Sequence, residues 1–269
     1  MTIVASVKVY DGVVLGADSV TQISAPTPQG IQLVKSYRHA NKLFHLDELP
    51  IGAMTYGAGN IGSRTIESYV GQFSAMERQA ASADNNVQAV ATRLLAFLRT
   101  AYDGQFGAIP EGERPALGMF LAGYSPGNAL AEEWEFVLPN DAVPRAARPI
   151  THFGASWRGI SIPFRRLYFG FDPRIQARLV GLGVPQAVID QVKQEMPNLA
   201  INFDGMPVQD AVNFVHFIIS TTVYTAAFEI GVASCGGPID IAVINQRGEF
   251  SWIVRKEISA PNLGGSYAY

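Results

Sequence analysis

The chain has 269 residues, room for one large domain or two small ones, and 48% of them are apolar, enough for a sizeable core. A formal net charge of −3 gives no basic field for nucleic acid, and the lone Cys235 rules out an intramolecular disulfide framework and suits a reducing cytoplasm. Met1-Thr2 leads straight into an apolar run with no basic flank, so no secretory signal is visible.

Two strands are expected first, Ile3 to Val9 and Val13 to Ala17, joined at the turn signal Asp11-Gly12. Ser24 to Gln29, with Pro26 and Pro28, reads as an exposed loop. Strand-like segments return at Lys42 to Leu46 and Ile51 to Tyr56. Ile66, Tyr69, Val70, Phe73 and Met76 then fall at helical spacing, as do Val87, Val90, Leu94, Leu98 and Tyr102, with a stop at Asp103-Gly104. Strands follow at Leu117 to Tyr124 and Glu133 to Val137. The stretch 154–166 carries no clear period. Pro173 to Glu195 reads as a helix broken near Gly181 to Pro185.

Ala211 to Phe228 carries no formal charge but holds Asn213, His216, Ser220, Thr221, Thr222 and Thr225, too many polar groups for a lipid-facing span. It reads as a helix buried inside the protein, with no membrane partner. Ile239 to Ile244 and Phe250 to Val254 close the chain as strands, and the Gly/Pro/Ser/Asn-rich tail from Ala260 reads as mobile. Elements grouped in this way argue for an α+β fold rather than a parallel βαβ sheet.

Thr2 is the first candidate for chemistry. With Met1 removed, it offers a hydroxyl and a free α-amine on adjacent carbons, and an α-amine titrates near pH ~8, so one residue supplies nucleophile and base. Three blocks bear on this. Thr2 through Ser19 resembles the start of mature proteasome β subunits and of the bacterial HslV peptidase. Asn41-Lys42-Leu43-Phe44-His45-Leu46-Asp47 with Gly52 through Gly57 is a second likeness, and Ser234-Cys235-Gly236-Gly237-Pro238 with the strand to Ile244 is a third. Together they identify the chain as a bacterial proteasome homologue, with residues near 165–206 as an inserted segment outside the likeness.

The resemblance implies a four-layer αββα sandwich of the N-terminal-nucleophile (Ntn) hydrolase type over one domain, residues 2–269. It implies Thr2 as nucleophile, Lys42 as the catalytic lysine, Asp18 as its acidic neighbour and Gly57 as the oxyanion donor. It also implies a specificity pocket near Thr21, Phe44 and Thr55, and a serine beside the nucleophile, assigned to Ser156 with Ser161 as the alternative. Lys8 and Lys35 are the competing lysines, with Lys8 expected to face away from Thr2. The family's aspartate and serine ahead of Gly-Gly are here Val232 and Cys235; Glu229 lies further upstream, and Cys235 reads as a small buried hydrophobe.

The activity implied is threonine-type peptide-bond hydrolysis on peptides or unfolded protein in a cytoplasmic homo-oligomer, a ring or helical assembly, with an ATP-dependent unfoldase as a further partner. A structural ring subunit and an amidase for a small amide are the alternatives. No cofactor is implied. His39, His45, His152 and His216 show no metal-ligand spacing, and Gly57-Ala58-Gly59-Asn60-Ile61-Gly62 lacks the context of a nucleotide loop.

Overall fold

The computed structural model describes residues 2–27, 30–80, 84–196 and 198–258. Met1 and the tail from Ala260 lie outside the described residues. In chain order the elements are β1 Ile3–Val9, β2 Gly12–Ala17, β3 Thr21–Thr27, β4 Gly30–Tyr37, β5 Leu43–His45, β6 Ile51–Gly57, β7 Asn60–Ile61, β8 Arg64–Thr65, α1 Ile66–Ala80 and α2 Val87–Phe106. They continue with β9 Leu117–Gly123, β10 Glu132–Leu138, β11 Arg145–Ala146, β12 Gly154–Gly159, α3 Ile162–Phe169, α4 Ile175–Gly181, α5 Gln186–Glu195, α6 Val208–Phe228, β13 Asp240–Asn245 and β14 Phe250–Val254.

All strand pairings are antiparallel among the described residues. One five-stranded sheet runs β12-β1-β2-β13-β14 and another runs β11-β10-β9-β6-β5. In β1 and β2 every residue is buried, because both faces of their sheet are covered. That is why they read as continuous apolar runs and not as alternating ones. Ile3, Ala5, Val7 and Val14 pack with Val215, Ile218 and Ile219 of α6, whereas Val4, Val13 and Leu15 pack with Met54 and Phe120 of the second sheet. Gly16 lets α6 approach this closely: a Cβ there would lie 2.4 Å from Val215 and 2.7 Å from Ile219. The far face of the second sheet packs with α1 and α2 through Ile51, Met119, Phe136, Val70, Leu94 and Leu98. Helix α2 starts where Asn86 caps the Ala89 N–H at 2.7 Å. It runs to Phe106, past the expected stop at Asp103-Gly104, because the Gly107 N–H still bonds the Asp103 carbonyl.

Three expectations are corrected. Ser24 to Gln29 was expected as a loop, but β3 and β4 pair from Thr21↔Tyr37 to Thr27↔Gly30, so proline-bearing sequence forms a two-stranded ribbon. The helix expected to be buried is buried on one face only: Ala211, Val215 and Ile218 point into the core, while Phe217, Tyr224 and Phe228 are exposed. By length and composition α6 is long and apolar enough to cross a membrane, yet its packing is against the sheet.

The third correction concerns the architecture. The four-layer αββα sandwich of the Ntn type gives way to an α+β fold of four antiparallel sheets. The β3–β4 ribbon, the β7–β8 pair and the α4–α5 pair do not belong to such layers, and the ribbon was not legible because each of its strands pairs only with the other.

Candidate active site

The β1–β2 hairpin builds the site. Val4 pairs with Ala17, and the Asp18 N–H donates to the Ile3 carbonyl at 3.1 Å, so the turn returns Asp18 to the start of β1 beside Thr2. Asp18 is fully buried and its carboxylate is saturated with donors. Oδ1 accepts from the Ile3 N–H at 3.0 Å and the Lys42 ammonium at 2.8 Å; Oδ2 accepts from the Val20 N–H at 3.2 Å and the Gly236 N–H at 2.9 Å. A buried carboxylate is tolerated when it is paired and hydrogen-bonded in this way.

Lys42 leads into β5, and its carbonyl accepts from the Thr55 N–H of β6 at 2.9 Å. Its side chain is 5% exposed. Burial holds its pKa below the ordinary lysine value, with the Asp18 carboxylate working in the opposite direction. Gly57 ends β6 at φ +84°, where a Cβ would stand 2.3 Å from the Ala116 carbonyl oxygen. Only glycine suits that backbone and that closeness. Thr2, Thr21, Lys42, Thr55 and Gly57 surround one small pocket of about 30 Å³.

Thr2, Asp18, Lys42 and Gly57 are therefore brought together, and Ser156 is not. Ser156 on β12 pairs with Ser6, four residues along β1 from Thr2, about 13 Å at the rise of an extended strand. Its hydroxyl accepts from Arg148 at 2.8 Å, and Arg148 pairs with the buried Glu133, which also takes a hydrogen bond from Ser6. The register places the alternative serine nearer: Ile3 pairs with Gly159, and the Ile160 N–H donates to the Thr2 carbonyl at 2.7 Å, so Ser161 follows directly.

Thr21 and Thr55 line the pocket, but Phe44 turns into the core under α1 and α2. The Lys8 ammonium donates to the Ile150 carbonyl at the other end of β1, and Lys35 is exposed on β4. Val232 and Glu229 are exposed in the segment after α6. No group of three or more His, Cys, Asp or Glu among the described residues could hold a metal ion.

Two contributions escaped the sequence reading. One is the Gly236 N–H on Asp18, a backbone donor with no side-chain signature. The other is Asp240, fully buried on β13 and bonded by Arg255 and Lys256. A carboxylate between two isoleucines of an apolar strand was the available signal, since it needs partners when buried.

Cys235 lies against the Asp18–Lys42 pair, its thiol facing the Thr222 carbonyl, and burial pushes its pKa up to about 12. The thiolate is the reactive form, so this thiol is expected to be inert. A disulfide reagent should label no cysteine in the native protein at pH 8 and one per chain in urea. Rapid labelling of the native protein would contradict this environment.

The comparisons with known proteins can be set against this geometry. No family model matches the chain, and no curated protein matches its sequence. Solved structures do match its fold, and those of ancestral β-subunits are among them. The chain is similar to Anbu (ancestral beta-subunit) from Yersinia bercovieri, with TM-score 0.54 and 14% identity over 93% of this chain and 86% of that one. It is similar to a Gly-1 mutant of Anbu from Hyphomicrobium sp. strain MC1, with TM-score 0.56 and 14% identity over 93% and 85%. It is also similar to Anbu from Pseudomonas aeruginosa, a complex described as a helical assembly, with TM-score 0.55 and 14% identity over 95% and 88%.

Identity this low shows a shared fold alone. The recognition drawn from the three sequence blocks, of proteasome β subunits and HslV, is corrected accordingly: the structural neighbours are Anbu proteins, and no family model takes in the chain. The blocks coincide with the hairpin, the β5–β6 pair and the Gly236-Gly237 turn, where local geometry constrains the choice of residues.

Proposed function

We propose that this chain is a threonine peptidase subunit, working through Thr2 in a homo-oligomer. The observation that carries the reading is the buried Asp18–Lys42 pair, whose lysine lines one pocket with Thr2 and Gly57. Removal of Met1 frees the Thr2 α-amine. That amine takes the hydroxyl proton while Oγ1 attacks the substrate carbonyl carbon. The Lys42 amine or ammonium stands where it eases proton loss from the hydroxyl, and the Gly57 N–H is assigned to the developing oxyanion. Collapse expels the amine product, which takes the proton, and leaves an ester on Thr2. Water activated by the α-amine then hydrolyses the ester and regenerates the hydroxyl.

Assembly is proposed by analogy with the helical complex of the P. aeruginosa neighbour. Phe228, at the end of α6, with Ile230 and Val232 beyond it, is exposed and apolar, surface of the kind that contacts between copies cover. The reading takes the protein to be cytoplasmic, in keeping with a buried free thiol at Cys235.

The test is the intact mass of the purified protein, with and without a threonine-directed electrophile, and light scattering on the same sample. Loss of Met1, a single adduct mapped to Thr2 and a multimer are expected. Retained Met1 in a preparation that cleaves peptides would remove the mechanism, because the nitrogen would then be an amide. An active species of monomer mass would remove the assembly and leave a free-standing amidase.

A further inference from the structure

Behind Lys42 lies a second set of buried charges that the proposed chemistry does not use. Asp240 opens β13 opposite Ala17, the residue before Asp18. Its Oδ1 accepts from the Lys256 backbone N–H at 2.9 Å; its Oδ2 accepts from the Arg255 guanidinium at 3.0 Å and from the Lys256 ammonium. The Arg255 guanidinium also donates to the carbonyl of Leu43 at 3.2 Å, the residue after Lys42. The chain just past β14 is thus tied both to the strand beside Asp18 and to the backbone that carries Lys42. The Lys256 side chain is 6% exposed, so its charge is poorly screened by water.

In this cluster two carboxylates, Asp18 and Asp240, stand with three cations, Lys42, Arg255 and Lys256. Arginine keeps its charge at any working pH. We propose that Lys256 is a positioning residue for Lys42: Asp240 holds its ammonium opposite the strand that leads to Asp18, and Arg255 beside it is tied to the backbone that carries Lys42.

Among the described residues, charges from three elements bear on Lys42. Asp18 after β2 and the Cys235 thiol ahead of β13 favour the ammonium, and Lys256 after β14 opposes it in the same direction as burial. A Lys42 that gives up its proton more readily is better suited to ease deprotonation of the Thr2 hydroxyl. That use rests on the reading of Thr2 proposed above; the coupling between the two lysines does not.

The test separates the two. The chain has five lysines, so protein labelled with 13C at the lysine ε-carbon gives few resonances, and Lys42→Arg assigns that of Lys42. In Lys256→Gln, which keeps a donor for Asp240 and leaves Arg255 in place, the Lys42 titration is expected to move to higher pH. Lys256→Met should do the same, and Lys256→Arg, which restores the cation, should return it to the wild-type position. A Lys42 titration that coincides in wild type and in whichever neutral variant folds would overturn the proposal, as would failure of arginine to restore it. Acylation of Thr2 followed against pH in the same samples judges the peptidase reading separately. A Lys42 midpoint that moves in protein whose Thr2 takes no label upholds the coupling and removes the peptidase.

Discussion

Thr2→Ala is expected to lower peptide hydrolysis by about 10⁴- to 10⁶-fold, the scale on which covalent hydrolases lose rate with their nucleophile. The melting temperature should hardly change. Thr2 is 5% exposed at the lip of a small pocket, so trimming its side chain removes little packing. Thr2→Ser, which keeps both hydroxyl and α-amine, should retain measurable turnover. Steady-state cleavage of a fluorogenic peptide, with thermal unfolding on the same preparations, checks this. Normal turnover in Thr2→Ala would place the nucleophile elsewhere and leave the Asp18–Lys42 pair a structural feature.

Asp18→Ala should be the most destabilising single change in the site, by about 3–5 kcal/mol, the usual range when one partner of a buried ion pair is removed. The substitution strands the Lys42 ammonium in a buried place and takes the acceptor from three backbone N–H groups, those of Ile3, Val20 and Gly236. Those bonds tie the first strand to the turn ahead of β13, so activity is expected to vanish with the geometry. Urea unfolding measures the loss. The double variant Asp18→Ala/Lys42→Met should recover part of it, because no uncompensated charge then remains. A single variant that loses less than about 1 kcal/mol would mean that water reaches Lys42 and that the pair is not buried in solution.

Much of the fold was legible because periodicity reports burial. The β1–β2 hairpin, α1, α2 and the break between α4 and α5 follow apolar spacing and turn residues, which act within a few positions along the chain. Residues 154–159 had no such period, since β12 is the edge strand of its sheet and only its pairing with β1 defines it. The β3–β4 ribbon was hidden for a related reason. Each strand takes its backbone pairing from the other, and Pro26 reads locally as a breaker.

By itself the sequence determined the α+β class and the positions of most helices and strands. It also singled out Thr2, Lys42 and Gly57, which line one pocket, and Asp18, which is bonded to Lys42. Tertiary structure alone decided the rest, because it depends on register and on partners far apart in the chain. The pairing Ile3↔Gly159 brings Ser161 nearer to Thr2 and carries Ser156 away along the strand. The Gly236 N–H reaches Asp18 from 218 residues away, and Lys256 reaches Asp240 only because β14 folds back on β13. Those contacts exist because a buried carboxylate must be satisfied, and the donors that satisfy it are selected by proximity in space, which no local pattern of residues encodes.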